Sequence, residues 1–499
     1  MTEPQRARGP HGVAIGLFLL VWFSCIWFGS YEGNPNSATR MFAAISLVEN
    51  GDATIDEFET LTIDKAEFDG HIYTDKMPGM TLLAIPSVWF ADMITGQRSD
   101  GFRYGLRDPA FGDFLRLRQL LTIATTSAVL IALAAVLLLD MATGITGSAK
   151  AGLVAALTYA MATPAWGWST TLFGHAPVGA LLMIATWAVW RGTSGPREKA
   201  RLRYPVMVGA TLGLALLIEL TAIFPATVIG LWAIWRTRTL ATPEKMRLAG
   251  VTALAGVVLL SPMLVYNQIA FGQWFRIGYQ GVVGFDGMNQ GLFGLTYPRM
   301  DILFQLIAGP HRGLIFVTPI LILAPIGLAR MIRTPATRDL GVMASALAIV
   351  MLLYNASYFY WNGGYSTGPR HAMPAMAFLA LGLGPLWAGS GRTARRWIGA
   401  LLAVSAFINL AIAAAEITAP DYIAFPLWDP ILKHFLELQI RTVPSDWWGW
   451  KTGFGLALYL VVALPLAWMI WRGADWSDED RRRTSVARTP NPASIGAPS

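Results

Sequence analysis

The sequence predicts an all-α polytopic membrane protein: about twelve transmembrane helices and a large first outer loop carrying surface helices. Three observations predict it. Of the 499 residues, 54% are hydrophobic and only 14% charged, where soluble domains carry about a quarter charged residues. Mean hydropathy is +0.46. The apolar residues also fall in runs long enough, at about 1.5 Å per helical residue, to cross roughly 30 Å of hydrocarbon. Finally, the 38 Lys and Arg sit almost entirely between those runs, as topogenic charges do. A water-soluble globule and a nucleic-acid binder are both excluded. The single cysteine, Cys25, lies inside an apolar run and permits neither an internal disulfide nor a cysteine metal cluster.

The first apolar run, from about residue 13 to 28, is followed by SYEGNPNS rather than a small-residue cleavage site, so it reads as a membrane helix. Further runs begin near residues 119, 149, 174, 205, 219, 247, 313, 339, 372, 397 and 452. One segment, Gly79 to Gly96, is ambiguous, because it is short, follows Pro78 and contains Pro86 and Asp92. Charge arbitrates. If it does not cross, 23 of the 38 basic residues but only 9 of the 31 acidic ones face the cytoplasm, as the positive-inside rule asks. The segment therefore reads as interfacial, and both termini as cytoplasmic. Residues 1–471 then form one transmembrane domain, with 31–118 as the first outer segment, and 472–499 are expected to be a disordered basic cytoplasmic tail.

The first outer segment holds 14 acidic and 8 basic residues, more than a connector needs. From Ser37, Met41, Ile45, Leu47 and Val48 recur at helical spacing beside Arg40, which predicts a short amphipathic helix at the membrane surface. Next come Asp56, Glu57, Asp64, Asp69 and Asp75 on strand-like or irregular chain, interleaved with Lys65, His71 and Lys76. Carboxylates beside cations suit a reaction in which a hydroxyl loses a proton while a phosphate leaves. The plainer alternative is a solvated loop whose acids pair with its lysines.

The run NPNSATRMFAAISLVENGD, followed by DGHIYTDKMPGMTLLAIP, resembles the first outer loop of the integral-membrane glycosyltransferases of the C superfamily (GT-C). The likeness is nearest to bacterial relatives of the protein O-mannosyltransferases and of the lipid A aminoarabinose transferase. Those loops carry an Arg on a short surface helix, then Gly-Asp, then a Tyr and a Lys-Pro-Pro-Leu that opens a second surface helix. Asp75-Lys76-Met77-Pro78-Gly79 is similar to that last element. The pattern departs at one place: many of those enzymes set an acid a few residues before the Arg, and here Asn36 and Ser37 precede Arg40. Neither is a carboxylate, so Glu32, Asp56, Asp64 and Asp75 remain as candidate bases, with Asp64 and Glu32 ranked first and Asp75 expected to orient Lys76.

Between the runs near 339 and 372 lies SYFYWNGGYSTGPRHAMP, where Gly363, Gly364 and Gly368 predict a tight loop leading to Arg370 at a helix start. The segment from Asn267 to Arg312 is rich in glycine, aromatics and isolated cations, and it too is similar to its GT-C counterpart. His175 and Glu219 stand at outer helix ends in apolar surroundings, where an ionisable group faces a partner or a cavity. The outer histidines lack metal-ligand spacing, so no metal is assigned, although a divalent cation is compatible with the chemistry.

The resemblance implies a glycosyltransferase that moves a hexosyl or pentosyl group from a polyprenyl-phosphate donor to a hydroxyl of a lipid, glycan or protein acceptor. Its setting would be the outer face of the plasma (inner) membrane. In that mechanism Lys76 and Arg370, with Arg40, His71 and His371 in support, would hold the departing phosphate. Two other readings stay open: a transporter or flippase of lipid-linked saccharides, and a non-catalytic scaffold of the same fold.

Overall fold

The computed structural model describes residues 11–29, 33–195 and 201–486, without the side chains of Trp476 and residues 480–486. Most of it is helix, and the sole sheet among the described residues is one two-stranded hairpin. Seven helical segments are long and apolar enough to cross a membrane, and four apolar helices of 10–17 residues accompany them. The protein is thus a multi-pass membrane protein, as its composition predicts.

The chain opens with α1 (His11–Trp27), which packs on α5 (Ser127–Thr146) and on the final helix, Thr452–Val486. Together with α6 (Ala149–Met161) and α8 (His175–Gly192), these helices enclose the main apolar core. The short α7 (Ala165–Ser169) places Trp166 and Trp168 in that core. Each indole N–H finds a backbone carbonyl, of Ser24 at 3.0 Å and Thr367 at 3.3 Å respectively, so neither large ring costs an unmade hydrogen bond. Helix α9 (Arg203–Ile218) lies against Thr242–Leu260 through small residues. A Cβ on Gly209 or Gly213 would fall 2.0 Å from the Thr252 carbonyl or 2.3 Å from that of Gly256, the close backbone approach that membrane helices use in place of a hydrophobic drive.

Between α1 and α5 the chain makes α2 (Pro35–Glu49), β1 (Ala66–Phe68), β2 (His71–Tyr73), α3 (Gly79–Thr95) and α4 (Pro109–Thr125). Asn34 caps α2, accepting from the Asn36 and Ser37 amides. The sequence suggested an amphipathic helix lying on the surface; α2 is instead buried on nearly every side from Asn36 to Ser46. Helices α3 and α4 and the turn Asp56–Leu61 all pack on it, and Phe42 stacks on Phe58 at 4.5 Å. The β-hairpin turns through Asp69 and Gly70, both at positive φ, as a tight two-residue connection requires.

The last helix also runs further than its hydropathy suggests, continuing through Val486 rather than ending near Arg472. Asp478 accounts for part of this by capping α6, accepting from Ser148 Oγ at 2.8 Å and from the Ala149 amide at 2.5 Å, while Asp475 pairs with Lys150. Residues 487–499 of the expected tail lie outside the described residues.

Candidate active site

Four separate stretches bring charged side chains to one place: α2, the strand exit after β2, the end of α9, and the loop before Arg370. On α2, Arg40 lies nearly two turns past the cap and is 1% exposed. Its guanidinium donates to the Asn36 carbonyl at 3.0 Å, to the Asn36 side chain, and to Glu219 Oε1 at 3.0 Å. Glu219 ends α9 in extended backbone, 179 residues away in sequence.

Past β2 the chain runs Thr74-Asp75-Lys76 into the start of α3. Lys76 Nζ lies 2.7 Å from Asp75 Oδ2 and 3.2 Å from Asp64 Oδ2. Burial works against the charge of Lys76, yet the two carboxylates overcome it and hold the ammonium above the usual lysine range. Burial pushes the Asp75 carboxyl up, against the pull of Lys76. The other Asp75 oxygen is enclosed and has no hydrogen-bond partner.

The approach to Arg370 turns at Gly363, Gly364 and Gly368, all at positive φ, where any other residue would be strained. Their side-chain space is also taken: a Cβ on Gly363 would lie 2.7 Å from Arg370 Nε, and one on Gly364 1.7 Å from the Tyr360 hydroxyl. Arg312, 1% exposed, donates to the carbonyls of Asn362 at 2.8 Å and Gly364 at 2.7 Å and so fixes the loop from behind. The amides predicted to be free are partly used, since Gly364 N donates to Asn362 Oδ1 at 3.1 Å. Arg370 itself sits among Phe173, Tyr360 and Trp168, with ring centroids 5.1, 5.9 and 6.0 Å from its guanidinium carbon. Among the described residues it has no ion-pair partner, and its buried Nε makes no hydrogen bond. Beside it the His371 ring meets His175 and Tyr358 edge-on, each at 5.1 Å, and His371 Nε2 is a further buried atom without a partner.

A glycine-rich segment ties the two halves together. Ala66 bridges Val282, and Leu295 bridges Tyr358; the Val283 amide donates to the Lys65 carbonyl at 3.1 Å and the Phe359 amide to that of Gly294 at 2.9 Å. Gly278 lies directly on the Lys76 strand, where a Cβ would be 2.6 Å from the Thr74 carbonyl. Two hollows lie elsewhere: one of about 680 Å³ outside the hairpin beside Phe68, Trp274 and Arg276, the other of about 390 Å³ beside Arg330 and Thr337. Neither is lined by Lys76 or Arg370. Four of the partnerless buried polar atoms, Asp75 Oδ1, Arg370 Nε, His371 Nε2 and Arg40 Nε, belong to this cluster rather than to either hollow, and each costs roughly 1–3 kcal/mol until something meets it.

Of the predicted site residues, Asp64, Asp75, Lys76, Arg40, Arg370 and His371 converge. Asp56 and His71 do not. They pair with each other at 2.7 Å on the exposed rim, and Asp56 also accepts from the Ile72 amide at 2.6 Å. Asp56 is thereby the clasp of the hairpin rather than a base facing the cluster, and His71 is no phosphate ligand there. Glu32 lies outside the described residues. The role of Arg312 went unread, since His-Arg-Gly before a helix carries no signal of which carbonyls it will hold. Among the described residues no group of three or more His, Cys, Asp and Glu is arranged to hold a metal.

The architecture is a polytopic, mostly α-helical membrane fold, with its charged cluster built from the segment between α1 and α5 and the loops facing it. Among solved structures it is similar to ArnT from Cupriavidus metallidurans bound to undecaprenyl phosphate: 14% identity, TM-score 0.51, covering 93% of this chain and 75% of that one. The apo state of the same protein gives 13% identity and a TM-score of 0.49 over 93% and 74% of the two chains. No family model and no curated protein matches the sequence.

Proposed function

We propose that the protein is a membrane glycosyltransferase that moves a sugar from a polyprenyl-phosphate donor to an acceptor hydroxyl. One observation carries the reading: Arg370 is an arginine in an aromatic box with no carboxylate partner among the described residues and a buried, unbonded Nε, in the same cluster as the cation of Lys76. A lipid phosphate is the group that would meet them, and undecaprenyl phosphate is what the structurally similar ArnT holds. Residues 1–471 form the catalytic unit, in the plasma (inner) membrane, with both termini cytoplasmic and the cluster on the outer face.

The acceptor oxygen bonds to the anomeric carbon as the bond from that carbon to the phosphate oxygen breaks. The electron pair leaves with the lipid phosphate, where Arg370 and Lys76 offset the growing charge. Asp64 takes the acceptor proton. It suits that role better than Asp75, whose side chain is only 4% exposed and bound tightly to Lys76; Asp64 is 13% exposed and sits at the longer distance. Asp75 then orients Lys76.

Purified protein given a panel of polyprenyl-phosphate sugars should transfer at least one of them to an acceptor. Movement of intact lipid-linked sugar across vesicles without transfer would favour a flippase, and inertness towards every donor a scaffold. Orientation has its own test. Asp100 is exposed just past α3, so Asp100→Cys in a Cys25→Ala background should react with an impermeant thiol reagent from outside intact cells. Labelling only after permeabilisation would reverse the orientation.

A further inference from the structure

Glu219 gives one carboxyl oxygen to Arg40, and its other oxygen has no hydrogen-bond partner among the described residues. The packing around it is close. A Cβ on Gly174 would lie 2.4 Å from Glu219 Oε1, and one on Gly79 would lie 2.6 Å from the Ile218 amide nitrogen. Glycines therefore let the start of α8 close on Glu219 and the start of α3 close on its neighbour Ile218. Lys76 stands just before Gly79 in the chain, and Arg370 adjoins His371, whose ring meets Tyr358 and His175, the residue after Gly174, each at 5.1 Å; the Tyr354 ring lies 6.2 Å from that of Tyr358. A ligand whose phosphate met Lys76 and Arg370 would thus carry its next group towards the Glu219 carboxyl group and the Tyr358 and Tyr354 rings.

That is the chemistry of sugar recognition. Hydroxyls donate to the carboxyl oxygen, and the C–H face of the ring rests on aromatic surface. We infer that Glu219 reads the donor sugar, accepting a hydrogen bond from a hydroxyl of an uncharged hexose or pentose and excluding a uronic acid by like-charge repulsion. The inference rests on the proposed transferase function and adds to it the class of sugar. Arg40 is the positioning residue, fixing the carboxyl group through one oxygen so that the other is presented.

The test separates sugar from phosphate. In Glu219→Gln the KM for a sugar-bearing polyprenyl phosphate should rise roughly tenfold or more, with rejection of a glucuronyl-bearing donor relaxed. The inhibition constant of undecaprenyl phosphate, which has no sugar, should stay within about twofold of wild type. Because Glu219→Gln leaves Arg40 unpaired and could disturb folding, the double variant Asn36→Asp/Glu219→Gln is the decisive one. Asn36 already touches the same guanidinium, so it returns a carboxylate to Arg40 from the other side. Folding should recover there while the sugar KM stays raised. Recovery of the wild-type sugar KM in the double variant would overturn the inference, since Glu219 would then only neutralise Arg40. So would an equal loss of both ligands in it, or no loss of either in Glu219→Gln. Wild-type protein that bound no sugar-bearing lipid at all would remove the transferase reading together with this one.

Discussion

The two ends of α3 carry the same ingredients and use them oppositely. At its C-terminal end Asp92 meets Arg118, a fully buried arginine that also donates to the carbonyls of Gln97 at 3.0 Å and Phe114 at 2.9 Å. Glu49 closes the same corner, accepting from the Ser99 amide and hydroxyl at 3.0 and 2.7 Å. Every charge there is answered within the protein. At the N-terminal end Asp75 Oδ1, Arg370 Nε, His371 Nε2 and Arg40 Nε are buried with no partner. Folding alone would not retain four such atoms together, because each lost hydrogen bond outweighs the net gain from a made one. The Asp92–Arg118 end is a joint; the Lys76 end is where the proposed donor would bind.

Breaking the unsaturated end should have the largest effect on turnover. Lys76→Ala or Arg370→Ala should each lower kcat by about 10²–10³-fold, the loss typical of one preorganised charge-stabilising donor. Thermal stability should hardly change for Arg370→Ala, since no carboxylate is left unpaired. Turnover within threefold of wild type in both variants would remove the phosphate clamp.

The saturated end should respond in the opposite currency. Arg118→Ala strands Asp92 and removes the hydrogen bonds to two carbonyls, so stability should fall by about 3–5 kcal/mol, as when a buried pair loses one partner. Activity per folded molecule should persist. An Arg118→Ala protein that unfolds like wild type but turns over poorly would make this corner part of the site.

Between these extremes lies the acid series. Asp64→Asn should cut kcat by roughly 10²-fold with undecaprenyl phosphate binding intact, the lower end of the range for a lost general base. Asp56→Asn should leave kcat within a few-fold and loosen only the hairpin. Full activity in Asp64→Asn, with Glu32→Gln inactive, would hand the proton to Glu32.

The convergence of Lys76, Asp64 and Asp75 was legible in the sequence and the Asp92–Arg118 joint was not, for a physical reason. Lys76 and Arg370 were legible because glycine and proline punctuate the chain around them, and such punctuation marks where backbone must turn to present a side chain. Asp64 and Asp75 were legible as acids next to lysines in the same segment. Arg118 pairs with Asp92 across 26 residues, and nothing local announces that meeting; Glu219 reads as facing a partner or a cavity, but nothing local names Arg40, 179 residues away, as that partner. The burial of α2 was hidden for the same reason: the polar residues that made it look amphipathic are answered by partners distant in sequence. Asp56 misled because a carboxylate capping a strand amide has the same local appearance as one awaiting a proton.

The smallest expected effect concerns pH, and it isolates the rim from both ends of α3. The Asp56 hydrogen bond and charge raise the pKa of His71 above its ordinary 6.5. Protonated His71 is therefore favoured in the folded protein. The stabilisation is fully present below about pH 6.5 and is lost as pH rises through the raised folded value. Both side chains are well exposed, so the effect on melting temperature should be small and salt-sensitive. A His71→Gln variant keeps a neutral donor to Asp56 but cannot gain charge. The difference in melting temperature between wild type and His71→Gln should be measurable at pH 6 and vanish by pH 9. The Arg118→Ala difference should persist over the same range, because a guanidinium keeps its charge throughout. A His71→Gln difference that is constant with pH would mean that the clasp holds the Asp64–Lys76 segment by shape alone, with no contribution from the imidazolium charge.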